Sequence, residues 1–285
     1  MKLSFTLGGG LGDYILNYLG DPGNRLAYIM MAVPDIEFRV SAQCPAGIDL
    51  VKHSPYFRCQ HVYQEKKFAQ NRLKNDISNI ANLSDYLKAA PPLWLDSDEE
   101  DILANVVGPY GVFHPFASYG PRNLVTAFNT ANMVQWIADA SGVNMVVLGQ
   151  EDFGYESSNV RHIKGSPRLA TKLVERSAFF VGSHSSMQCA AWVHDVPSLC
   201  IGPSHLLFHN LYSPNNNDLY LKPLFKNKNV FMMYDQADRF SYFLDYFLRT
   251  ATSLRPQRTP EECRRKIALS GMASEFLLTS DKPSC

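Results

Sequence analysis

Three segments of the 285-residue sequence carry side chains whose types and spacing can do chemistry. The first is Gly8-Gly9-Gly10-Leu11-Gly12-Asp13, which follows an apolar run, Lys2 to Leu7, and opens a helical pattern carrying Ile15, Leu16 and Leu19. It is not a dinucleotide fingerprint, because the third glycine of GxGxxG counted from Gly8 falls on Asp13. It is not a P-loop either, since no Gly-Lys-Ser/Thr follows. What it offers is permissive backbone and a carboxylate where a strand turns into a helix. Two readings stand side by side: Asp13 caps the helix, or it serves as a base toward a ligand that the glycines let approach the main chain.

The second segment, His114-Pro115-Phe116-Ala117-Ser118 with Gly120-Pro121-Arg122-Asn123 behind it, ends a strand-like run from Tyr110. Alone, a His-Pro after a strand reads equally as a turn. The third runs from Phe179 to Ala191, where an apolar strand ends in Gly182-Ser183-His184-Ser185-Ser186 and a small-residue helix with Met187 and Gln188 begins. Free N–H groups and hydroxyls at such a helix N-terminus suit a diphosphate. The alternative is a plain N-cap on a packing helix.

Other patterns carry less. Asp96-x-Asp98 imitates a metal–diphosphate DxD, but its place in the acidic run Asp96 to Asp101 reads as a linker. His205-x-x-x-His209 has zinc-like spacing without a neighbouring Glu or a third ligand. The basic stretch Arg249 to Lys266 is offset by Glu261 and Glu262 and reads as a solvated terminal helix. The six cysteines form no CxxC and suit reduced thiols.

The elements that position these segments alternate strand and helix. Strands are expected at Lys2 to Leu7, Ile36 to Val40, Tyr110 to His114, Val143 to Leu148, Ala178 to Val181 and, last, Ser198 to Ile201. Helices are expected at Ala46 to Val51, Asn75 to Ala89, Leu124 to Ala140, Arg168 to Arg176, Met187 to Val193 and Ala237 to Leu248. On the last of these, Phe240, Phe243 and Phe247 share a core-facing side. Pro91-Pro92 and the acidic run place a boundary between 92 and 109. The expected organisation is a lobe over 1–95, a linker over 96–109, a second lobe over 110–235, and terminal helices and tail over 236–285. Such alternation implies two Rossmann-like, doubly wound parallel lobes with the ligand cleft between them.

Composition bounds the function. Hydrophobic residues make up 46% and charged residues 19%, enough apolar material for real cores. Lys plus Arg and Asp plus Glu are both 27, so a bulk positive field for nucleic acid is missing. The opening apolar run is too short for a signal-peptide core, and no run reaches the roughly 20 residues of a spanning helix. The expectation is a soluble, cytoplasmic protein.

Taken in order, the segments resemble glycosyltransferase family 9, the heptosyltransferase-like enzymes of the GT-B fold. The resemblance rests on Gly12-Asp13-Tyr14-Ile15-Leu16, on His53-Ser54-Pro55-Tyr56 and on Pro109 to Ser118. It continues through Val146 to Glu151, Leu169 to Val174, Val181 to Ala191, Val196-Pro197 and Ile201 to Ser204, and so spans residues 2 to about 204. It implies inverting sugar transfer from a nucleotide diphosphate sugar without a metal or other cofactor. Asp13 would be the catalytic base. Gly12, His114, Ser118, Arg122, Gly149, Gln150, Ser183, His184, Ser185, Ser186, Met187 and Gln188 would bind the donor. The acceptor would be a saccharide or glycolipid. His184 stands where the family has an Asp, and Ser186 where it has a Gly, which leaves the donor sugar open. Two other readings accompany this one: transfer to a hydroxylated base in nucleic acid, and a non-catalytic nucleotide-sugar-binding protein on the same scaffold.

Overall fold

The structure, a computed structural model, describes residues 2–7, 10–15, 37–42, 45–51, 57–62, 93–117, 123–203 and 229–252. The chain divides into two units, one of residues 1–106 with 166–172 and one of residues 107–165 with 173–285. In the first, β1 (Lys2–Leu7), β2 (Glu37–Ala42) and β3 (Phe57–Val62) form a parallel sheet in the order β1-β2-β3. Parallel neighbours need crossovers, and short helices α1 (Leu11–Ile15) and α2 (Pro45–Val51) lie on the connecting chain. Helix α3 (Ser97–Ala104) completes the described part of this unit, with residues 166–172.

The second unit is built on six parallel strands. These are β4 (Tyr110–His114), β5 (Asn144–Leu148), β6 (Val160–Ile163), β7 (Phe179–Ser183), β8 (Ser198–Gly202) and β9 (Asn229–Met233). Their spatial order is β6-β5-β4-β7-β8-β9. Numbered within the unit, this is the doubly wound order 3-2-1-4-5-6, and its switch point falls between β4 and β7. Every residue of β7 and β8 is buried, as are the first four of β4, as expected of strands covered on both faces.

The helices that flank this sheet are α4 (Thr130–Ser141), α6 (Ser186–Val193) and α7 (Phe240–Thr250), while α5 (Pro167–Glu175) runs from the first unit's residues 166–172 into the second. On α7, Phe240, Leu244 and Phe247 are buried, Phe243 packs partly buried against the same core, and Phe247 meets the ring of Phe179 edge-on at 6.0 Å. That is the core-facing side the sequence implies.

Three expectations are corrected. The strand at Ser198–Gly202 is not the last, since β9 follows it, and β6 is a further strand; the two are the edges of the sheet, and β6 breaks its apolar pattern with Arg161 and His162 while β9 carries the apolar run Val230 to Met233. The helix expected from Leu124 begins instead as a short 3-10 turn, Leu124–Thr126, capped by Asn123, and α4 starts afresh behind Asn129, whose side chain accepts from Asn132 N at 3.2 Å. The acidic run expected as a solvated linker forms α3, and Glu99 within it is buried. Among the described residues no helix is long and apolar enough to cross a membrane.

Candidate functional site

The carboxyl ends of β4 and β7 bring His114, Gly182, Ser183 and Ser185 together. His114 pairs with Gly182 across the sheet, so close that a Cβ on Gly182 would lie 2.4 Å from the His114 carbonyl oxygen. Only glycine lets the strands approach this way at the switch point. The Ser183 hydroxyl donates to the carbonyls of Phe116 at 2.8 Å and His114 at 3.3 Å, and so ties the end of β7 to the chain leaving β4. Ser183 is a brace, fully buried and committed to backbone.

Ser185 is the N-cap residue of α6, yet its side chain makes no capping hydrogen bond. Its Oγ lies 2.9 Å from Nδ1 of His114 instead. Burial pushes the His114 imidazole down to a pKa of about 4, so the ring is neutral near pH 7. At the start of α6, Gln188 N and Cys189 N turn back to Ser185 O at 3.2 and 3.4 Å. The N–H groups of Ser186 and Met187 have no acceptor among the described residues. The helix therefore presents open donors and the positive end of its dipole at the switch point, which is the local chemistry of an anion site.

His184, one residue earlier, is buried with its ring 6.4 Å from that of Trp192. Gly149 and Gln150 follow β5. The Phe116 ring lies where a Cβ of residue 149 would go, 2.2 Å from it, and the Gln150 amide donates to the Gly165 carbonyl. The Gly149 carbonyl is 3.2 Å from Nε2 of His162, and Phe153 packs edge-on against Phe113 and Phe116. Phe153 and His162 carry no motif, and no spacing rule marks this aromatic floor beside the site.

Asp13 and Gly12 lie on α1, in the first unit. The Asp13 side chain, Ser118 and Arg122 fall outside the described residues, as do His53 to Tyr56, Asn75 to Ala89, and His205 and His209. Asp96 and Asp98 have other roles. Asp96 caps α3, accepting from Glu99 N at 2.9 Å while Glu99 accepts from Asp96 N at 3.2 Å, and Asp98 is exposed.

The sequence reading also missed a charged cluster in the first unit. Arg168, almost fully buried, holds both oxygens of Glu99, donates to Asp49 Oδ1 at 3.0 Å and to Asp49 O at 2.6 Å, and has Asp96 Oδ2 3.7 Å away. Ser166 donates to Glu99 Oε1 and accepts from Leu169 N at 3.2 Å. Its members come from three distant stretches, and no spacing rule joins them.

No family model and no curated protein matches the sequence. Among solved structures, the chain is similar to the E. coli ADP-heptose LPS heptosyltransferase II at 13% identity and a TM-score of 0.51, covering 81% of this chain and 90% of that one. A glycosyltransferase family 9 protein from Veillonella parvula DSM 2008 aligns at 9% identity and a TM-score of 0.48, over 81% and 86% of the two chains. The E. coli heptosyltransferase WaaC with ADP aligns at 11% and 0.42, over 82% and 93%. The fold expected from the sequence is thereby shown by the first of these.

Proposed function

With a chain that carries the two-lobed α/β fold of the GT-B heptosyltransferases as its premise, we propose that this protein transfers a sugar from a nucleotide diphosphate sugar to an acceptor hydroxyl. The observation that carries the reading is the uncapped start of α6 at the switch point, with Ser185 turned to His114 and the N–H groups of Ser186 and Met187 open. A structure of the same fold carries ADP-heptose in its name, which supports a nucleotide sugar as the donor class.

The chemistry follows from charge. As the bond from sugar to diphosphate breaks, negative charge gathers on the leaving group and positive charge on the sugar ring. Donors fixed at a helix N-terminus hold that leaving diphosphate more strongly in the transition state than in the ground state. His114 is neutral and adds no charge of its own, and its bond to Ser185 Oγ fixes the geometry of the cap residue. In this reading Asp13 takes the proton of the attacking hydroxyl, Arg122 adds positive charge to the diphosphate, and transfer proceeds with inversion and without a metal. The acceptor is a saccharide or glycolipid.

The test is a thermal-shift panel of ADP-, UDP-, GDP- and CMP-sugars with EDTA present. A shift with one nucleotide class, followed by its release when acceptors are supplied, supports the reading. A shift that needs Mn²⁺ overturns the metal-free part, and silence under both conditions overturns donor binding itself.

A further inference from the structure

Two of the described helices carry the same N-terminal signature, Ser/Asp-x-x-Glu/Gln, and one of the two uses it. At α3, Asp96 and Glu99 close a reciprocal capping box. At α6 the corresponding pair is Ser185 and Gln188, and the box stays open: the Ser185 hydroxyl is on His114, and the Gln188 amide is on nothing. Gln188 is fully buried, and neither its Oε1 nor its Nε2 has a hydrogen-bond partner among the described residues. One turn on, Trp192 leaves Nε1 unpaired as well. Burying an amide with both ends unmet costs about 1–3 kcal/mol per group, and such groups are rare enough to need a reason.

Gln188 stands third in its helix, and side chains of a helix lean toward its N-terminus. Its Cα–Cβ bond therefore leans toward the first turn, which carries the open N–H groups of Ser186 and Met187. We infer that Gln188 is a specificity-determining residue of this site, and that its amide pairs with the hydroxyls of a sugar bonded directly to the diphosphate. This rests on the donor-binding reading above and deepens it.

The chemistry selects hydroxyls over phosphate. A deprotonated phosphate oxygen can take a hydrogen bond from Nε2 but has no proton to offer Oε1. A sugar hydroxyl both donates and accepts, so adjacent hydroxyls satisfy the two ends of the amide together. Both groups attached to the diphosphate of a nucleotide sugar, the ribose and the transferred sugar, are sugars, whereas the base lies one unit further away. The bound donor thus supplies the Gln188 amide with the partners that the capping box does not give it.

The experiment compares the wild-type chain with Gln188→Met, and with Gln188→Leu as a second apolar replacement. Affinities are measured by calorimetry for inorganic pyrophosphate, for ADP, UDP and GDP, and for their glucose conjugates. The expected result is pyrophosphate binding within twofold of wild type and about tenfold weaker binding of the sugar-bearing ligands, the loss of one to two hydrogen bonds. A loss seen already with the bare nucleotides places the contact on ribose; a loss confined to the glucose conjugates places it on the transferred sugar. Without ligand, the melting temperature is expected to hold or rise, because an unmet polar group has been removed. Equal affinities for wild type and variants overturn the role of Gln188 and leave the donor site standing, as does an equal loss for pyrophosphate. No binding by the wild-type chain overturns both.

Discussion

The guanidinium of Arg168 grips both carboxylate oxygens of Glu99, with Nη2 at 2.9 and 3.0 Å and Nε at 3.2 Å, across 69 residues of sequence. This is the two-point geometry in which Arg is not replaceable by Lys. Asp49 takes the other terminal nitrogen, so a side chain only 3% exposed has all its charge answered. The pair joins α3 to the start of α5, and through Asp49 to α2.

Removing one partner of such a pair leaves buried charge uncompensated. Arg168→Met is expected to lower unfolding stability by about 3–5 kcal/mol, measured by urea denaturation. Adding Glu99→Leu to it is expected to recover part of that loss, because the stranded carboxylate is gone. A double variant no better than the single would show that packing of the Arg stem, not the charge, holds these helices.

His114 predicts a pH dependence with a definite sign. Its folded pKa of about 4 lies below the usual 6.5, so between these values the unfolded chain binds more protons than the folded one. The contribution is fully present above about pH 6.5 and is lost as the pH falls toward 4, at no more than about 1.4 kcal/mol per pH unit. Melting temperature against pH is expected to lose that part of its slope in His114→Asn. A variant whose profile parallels the wild type would remove His114 from the account.

How much of this was legible depends on where each element sits. The four central strands of the second unit are continuous apolar runs because both faces are covered, and Tyr110–His114 could be read to the residue. The edge strand β6, with Arg161 exposed and His162 beside it, sends no such signal, whereas β9 carries an apolar run, Val230 to Met233, that stands alone behind the long polar stretch 213–218. Glu99 was misread because a carboxylate among Asp98, Glu100 and Asp101 reads as solvated, and the Arg168 that buries it stands far along the chain. At the site, the Gly-Ser-His-Ser-Ser element announced a helix start but not which group its serine would hold. A Ser-x-x-Gln spacing predicts a closed cap, and the competing partner, His114, comes from another strand.

Asp13 tests the chemical half of the proposal. Asn keeps the shape of the side chain but cannot accept a proton, so Asp13→Asn is expected to lower turnover by at least about 100-fold while leaving donor affinity unchanged. Isothermal titration with the donor, beside a turnover assay, separates the two. Retained turnover removes Asp13 as the base, and lost affinity makes it a binding residue.

Ser185→Asp asks whether the open cap of α6 is kept for a ligand. At α3 an aspartate in the same position closes the helix on itself, Asp96 accepting from Glu99 N at 2.9 Å. Placed at 185, a carboxylate would lie over the free N–H groups and against the positive end of the helix dipole, a change that adds about 0.5–2 kcal/mol where a cap was missing. The same carboxylate would occupy the space of an anion and repel it. The variant is therefore expected to melt higher than wild type without ligand and to lose binding of pyrophosphate and of every nucleotide sugar together. A gain in stability with binding intact would show that the anion does not use these donors. A loss of both would show that the bond between Ser185 and His114 is needed to hold the carboxyl ends of β4 and β7 in place.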